Sequence, residues 1–130
     1  MKIYLDSDTT IYLVENHPQF APRVATAMSK WRPSEIVSTV LSRAECLVVP
    51  RRAVDNAAIA SFENHFNTNT IVAPLEWKTF DLCIDLRAKY SRLKTPDALH
   101  LAAAILSGCD IFLTNDQRLK VVTEIHVETI

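Results

Sequence analysis

Four acidic residues stand where apolar stretches end or helices begin. Asp6 closes the run Ile3-Tyr4-Leu5, and Asp116 follows Ile111-Phe112-Leu113-Thr114. Glu45 lies one helical turn beyond the β-branched run Ile36 to Val40, and Asp97 falls in the first turn of a helix opened by Thr95-Pro96. Carboxylates gathered in one place repel, two charges ~6 Å apart by roughly 3 kcal/mol at an effective dielectric of ~20. Four of them, fully ionised, would cost on the order of 10 kcal/mol or more. Such a group either protonates in part or holds a cation. Oxygen-only donors select hard ions, so Mg2+ or Mn2+ is the candidate rather than zinc. In carboxylate sites these ions turn water into a nucleophile and stabilise a leaving oxygen, which is phosphoester chemistry.

Each acid also has a plain structural role. Asp6 can end a strand in an Asx turn, and Asn115-Asp116 is a common turn pair. Glu45 fits the third position of a capping box opened by Ser42. Asp97 complements a helix dipole. What these roles do not explain is four acids at one edge, and that depends on the elements that carry them.

The apolar runs Ile3–Leu5, 36–40, 70–73 and 111–114 read as strands, with a further short one at Ile125 to Val127. Helical stretches lie between them: about 9–15, stopped by His17-Pro18; 19–32, stopped by Pro33; one opened by Ser42-Arg43-Ala44-Glu45 and ended by Pro50; 53–66; 76–91; and one opened by Thr95-Pro96, with Thr95 as its cap. Gly108, the only glycine, sits where that last helix needs a left-handed terminator. Strands alternating with helices predict a parallel α/β sheet of four to five strands covered on both faces. In such a sheet ligands gather at the carboxyl ends of the strands, the edge where the four acids would meet.

With 130 residues the chain is long enough for one domain, residues 1–130, with a core that needs no disulfides. One glycine, where average usage of about 7% would give roughly nine, rules out glycine-rich phosphate loops. The longest apolar run, Leu101 to Leu106, is far too short to span a bilayer, and an acid at position 6 leaves no signal-peptide apolar region. Cys46, Cys83 and Cys109, odd in number and set among apolar residues, read as reduced core thiols of a cytoplasmic protein. Fourteen Lys and Arg against fifteen Asp and Glu give a net charge of −1, so an argument for nucleic acid must rest on local clusters. One such cluster precedes Asp97: Arg87, Lys89, Arg92 and Lys94, with no acid among them. Beside a carboxylate site, Arg92 and Lys94 are candidates for guiding an RNA backbone. Arg43 either contacts substrate phosphate or holds Glu45. Arg118 and Lys120 are further backbone-contact candidates. Tyr90 is a stacking or core residue, His100 a supporting residue one turn from Asp97, and Trp31, Trp77 and Phe80 core or dimer contacts.

The segments I-Y-L-D-S at 3–7, S-R-A-E at 42–45, T-P-D-A-L-H-L-A-A-A at 95–104 and F-L-T-N-D at 112–116 resemble the PIN domain, and more closely the small single-domain PIN ribonucleases of VapC type, toxins of toxin–antitoxin pairs. The resemblance runs over the whole chain, and the third and fourth segments are its most specific. It implies a three-layer α/β/α fold with a central parallel sheet. It also implies an Mg2+-dependent endoribonuclease (Mn2+ as an alternative ion) leaving a 5′-phosphate. Asp6, Glu45, Asp97 and Asp116 would be the metal-binding catalytic acids, with Thr114 and Asn115 as the neighbouring polar residues on the substrate side. The implied partners are RNA, a cognate antitoxin and a second copy of the chain. One rival is a non-catalytic module of the same fold that binds RNA or protein, which is expected to have lost acids. Another follows from Asp8: the opening D-S-D-T-T fits the D-x-D-x-T start of haloacid-dehalogenase-type phosphatases, although Asp8 also reads as a helix cap.

Overall fold

A computed structural model describes residues 1–130. Five strands, β1 (Lys2–Leu5), β2 (Glu35–Thr39), β3 (Ile71–Ala73), β4 (Ile111–Thr114) and β5 (His126–Thr129), form one sheet in the order β3-β2-β1-β4-β5. Every pairing is parallel. Tyr4 stands opposite Val37 on one side and Phe112 on the other. The central strands β1 and β4 carry no polar alternation because both of their faces are covered. Tyr4 and Phe112 point into a large core with Ala98, Leu101 and Ala102 of α6 (Thr95–Leu106) and Cys83 and Leu86 of α5 (Trp77–Lys89). Ile3, Leu5, Ile111 and Leu113 point to the opposite face, against Val24 and Ala27 of α2 (Ala21–Ser29). This is the expected three-layer α/β/α arrangement. A third cluster joins Cys46 and Leu47 of α3 (Val40–Arg52) to Phe62 and Phe66 of α4 (Asn56–Thr68). No helix is long and apolar enough to cross a membrane.

Several boundaries differ from the sequence expectation, each for a local reason. Helix α3 does not stop at Pro50 but runs to Arg52. A proline in the last turn removes one backbone donor with little helix left to break, and the Pro50 ring is buried. The cap of α3 is Thr39, whose hydroxyl accepts from the Ser42 N–H at 3.3 Å, so Ser42 and Glu45 form no capping box. Helix α6 begins one residue early: Lys94 is its cap position, and the Thr95 hydroxyl instead accepts from Arg87 at 2.8 Å. Helix α2 is shorter than residues 19–32, and α4 begins at Asn56, not at position 53. Gly108 has φ 70°, the left-handed conformation expected after α6. Trp77 and Phe80 are not core residues: Trp77 is 86% exposed and Phe80 lies on the surface, with Ile84 on the same face of α5.

Candidate active site

The strand order reverses at β1, with β2 on one side and β4 on the other. In a parallel sheet the crevice outside the carboxyl ends at that switch point is where ligands bind. Asp6 and Asp116 follow β1 and β4 into it. Asp6 is the cap of α1 (Ser7–Val14), its Oδ1 accepting from the Thr9 N–H at 3.0 Å and the Thr9 hydroxyl at 2.8 Å. Its Oδ2 accepts from the Thr114 hydroxyl at 2.6 Å. Burial still raises the Asp6 pKa from its ordinary value in spite of these donors. Asp8, in the first turn of α1, is exposed and is not the cap. The D-S-D-T-T opening is thus a capped helix start.

The Thr114 hydroxyl does a second job, accepting from the backbone N–H of Asp116 at 3.0 Å. Thr114 is fully buried. Placed on the substrate side by resemblance, it bridges two acids from beneath. Asp116 is covered by Arg118, whose Nε and Nη2 reach its two oxygens at 3.0 and 2.8 Å. That guanidinium holds the Asp116 carboxyl below its usual pKa. Asn115 donates to the Tyr12 hydroxyl at 3.3 Å.

Glu45 reaches the same edge from α3. Its Oε1 accepts from His100 Nε2 at 2.7 Å and from the Ser7 hydroxyl at 3.0 Å. The His100 hydrogen bond lowers its pKa. Asp97, in the first turn of α6, has its pKa raised first by burial and then by the charge of Asp116, with Glu45 adding to the repulsion. Asp97 and Asp116 therefore share one electrostatic environment, Glu45 acts on it, and Asp6 is tied in through Thr114. Sequence reasoning missed Tyr4, Ser7 and Thr39 as neighbours of this group. The available signal was Tyr4, a hydroxyl-bearing aromatic inside a buried strand, which needs a hydrogen-bond partner.

The donor set fits a hard divalent cation. The exposed oxygens are carboxylate, both nitrogens of His100 are engaged within the protein, and Cys46 and Cys83 are buried. No three of the His, Cys, Asp and Glu side chains close to the spacing of a metal centre, since Asp116 is turned to Arg118 and Glu45 to His100.

Beside the acids opens a cavity of about 580 Å3, whose lining includes Asp97 and Asp116 together with Lys89, Arg92, Lys94 and Arg118. Arg92 and Lys94 are exposed. Tyr90, also on this wall, is pinned by Glu124 at 2.6 Å and Thr123. Arg43 does not hold Glu45; it faces Glu63 at 3.6 Å.

The PIN domain family model matches residues 3–125. No curated protein matches the sequence. Among solved structures, VapBC2 from Rickettsia felis bound to a promoter DNA fragment superposes with a TM-score of 0.77 at 16% identity, over 99% of this chain and 98% of that one. VapBC-1 from nontypeable Haemophilus influenzae gives 0.72 at 17%, over 99% and 98%. Mycobacterium tuberculosis VapC20, described as a sarcin-ricin loop cleaving toxin, gives 0.71 at 12%, over 95% and 98%. At such identities the neighbours speak for the fold, in agreement with the parallel sheet and its acidic edge, and the match over nearly the whole length assigns the family: the chain belongs to the PIN domain family.

Proposed function

We propose that this PIN domain is a metal-dependent endoribonuclease of VapC type, the toxin of a toxin–antitoxin pair. The observation that carries the reading is one cavity lined both by Asp97 and Asp116 and by Lys89, Arg92, Lys94 and Arg118. A carboxylate edge suits a hard cation, and a basic rim beside it suits a polyanion. Asp6, Glu45, Asp97 and Asp116 would hold Mg2+ or Mn2+, which when bound supplies an activated water and charge for the leaving oxygen. Arg92 and Lys94 bind the RNA backbone and set its register against the acids. Asp6 and Thr114 fix the floor of the site, and Glu45 is steadied from α3 by His100 and Ser7. The similarity to VapC20, a sarcin-ricin loop cleaving toxin by its description, supports RNA as the substrate.

The purified protein is expected to cut RNA only with Mg2+ or Mn2+ and to stop when a chelator is added. Undiminished cutting in excess chelator, by protein free of contaminating nuclease, would refute the metal mechanism. RNA binding without cutting at any metal concentration would favour the non-catalytic module.

The partner reading rests on the Asp116–Arg118 pair. A guanidinium already seats two of its nitrogens on a site carboxylate, the bidentate geometry an arginine from another chain would use. The superposition on VapBC structures supports an antitoxin as the partner. Co-expression with the product of the adjacent gene is expected to yield a complex that no longer cuts RNA. Unchanged cleavage and toxicity on co-expression would count against it. Trp77, Phe80 and Ile84, exposed along one face of α5, favour a second copy of the chain as a further partner.

A further inference from the structure

We propose that Tyr4 and His100 are positioning residues that hold Glu45 in one orientation through a one-way chain of hydrogen bonds starting at the backbone of α3. The role of Glu45 itself rests on the nuclease reading above; the direction of the chain does not.

The Thr39 hydroxyl oxygen accepts from the Ser42 N–H at 3.3 Å. The Thr39 hydroxyl lies 3.2 Å from the Tyr4 hydroxyl and donates to it when Tyr4 donates onward. Tyr4 is fully buried and stacked on Phe112, with centroids 5.2 Å apart and planes 5° from parallel. A phenol, with an ordinary pKa of about 10, carries its proton at neutral pH. The nearer acceptor for that proton is His100 Nδ1, at 2.7 Å against 3.2 Å for the Thr39 hydroxyl, and the Ser42 hydroxyl lies 3.4 Å from the same nitrogen. A ring nitrogen that accepts carries no proton, so the imidazole proton is on Nε2. Nε2 lies 2.7 Å from Glu45 Oε1 and donates to it. The Ser7 hydroxyl donates to the same oxygen at 3.0 Å. Oε1 is thus occupied by two donors, and Oε2 is left to meet a ligand.

Two features make this more than core packing. Glu45 has a side chain 40% exposed, yet it is gripped by a histidine that is 4% exposed. His100 also lies one turn along α6 from Asp97, so one helix supplies an acid and fixes the orientation of another. Partners of this kind, set behind a metal ligand, typically change metal affinity or activity 10- to 100-fold when lost.

The test has two arms. Long-range nitrogen–proton NMR on the metal-free protein reads the His100 tautomer directly. A single Nε2–H form is expected in wild type. Tyr4→Phe keeps the ring on Phe112 and deletes only the hydroxyl. It is expected to move both His100 nitrogen shifts toward a tautomer mixture. In the second arm, Mn2+ titration and RNA cleavage are compared for His100→Gln and His100→Ala. Gln places an amide N–H near the position of Nε2 and is expected to stay within a few-fold of wild type, while Ala weakens Mn2+ binding 10- to 100-fold. An Nδ1–H or mixed tautomer in wild type, shifts that ignore Tyr4→Phe, or equal behaviour of Gln and Ala would overturn the proposal. If wild type neither binds Mn2+ nor cuts RNA, the nuclease reading fails on its own, and the NMR arm still decides the chain.

Discussion

Replacing Asp97 with Asn is expected to lower RNA cleavage by orders of magnitude while leaving the metal-free protein as stable as wild type or more so. Burial and the Asp116 charge raise the Asp97 pKa, and no hydrogen bond contributes to it. A carboxyl whose folded pKa is raised favours the native state below the ordinary carboxylate range. It loses that contribution as pH rises through the folded value. At neutral pH the ionised Asp97 is therefore a penalty, softened by solvent because the group is only half-buried. Asn removes this penalty and also removes a favourable charge–dipole contribution of roughly 0.3–1 kcal/mol at the start of α6. The two nearly cancel, so the melting temperature should hold or rise at pH 7, and the comparison should shift in favour of wild type on acidification. Added Mg2+ should raise the melting temperature of wild type more than that of the variant, since a ligand stabilises the state it binds. Melting curves with and without Mg2+, alongside an RNA assay, check this. A variant that is less stable without metal, gains as much from Mg2+ and still cuts RNA would mean that Asp97 only starts a helix.

Much of the scaffold was legible because the strands are buried on both faces. Ile3-Tyr4-Leu5 and Ile111 to Thr114 carry no polar alternation, and only a covered parallel sheet explains such short continuous runs. The acids were legible by position, since each lies where an apolar run ends or a helix begins. What the acids touch was not legible. Tyr4 and His100 are 96 residues apart, and His100 and Glu45 are 55 apart, so no local spacing signals their contact. Glu45 was open to a capping reading because Ser42 sits three residues before it. The true cap, Thr39, also belongs to the strand, where a threonine is equally at home. The α5 periodicity gave the helix but not its outward face, because Trp77, Phe80 and Ile84 share a helical repeat whether that face meets the core or solvent. Arg118 was placed near the acids but not on one. The bidentate bond depends on the 3-10 turn Gln117–Val121, which starts at Asp116 and brings Arg118 back over its carboxylate.

Thr114 separates a structural from a catalytic contribution at a single hydroxyl. Thr114→Val keeps the shape of the side chain and removes the oxygen that donates to Asp6 and accepts from Asp116. Each of the two part-buried groups left without its partner costs ~1–3 kcal/mol, so a loss of about 2–6 kcal/mol in stability is expected. Thr114→Ser retains the oxygen and loses one methyl, at about 1 kcal/mol. The pH dependence carries the sign. The Asp6 pKa is raised already, and the Thr114 hydroxyl is the largest influence holding it down. Without that hydroxyl the ionised form of Asp6 is disfavoured further, so the deficit of the Val variant should be full at neutral pH and shrink as Asp6 protonates on acidification. Cleavage should follow the oxygen: near wild type for Ser and strongly reduced for Val, measured at a temperature where both are folded. Circular-dichroism melts from pH 4 to 8, with cleavage rates alongside, provide the check. A Val variant as stable and as active as Ser, with a deficit that does not vary with pH, would show that the bond between β4 and Asp6 does no more than fill space.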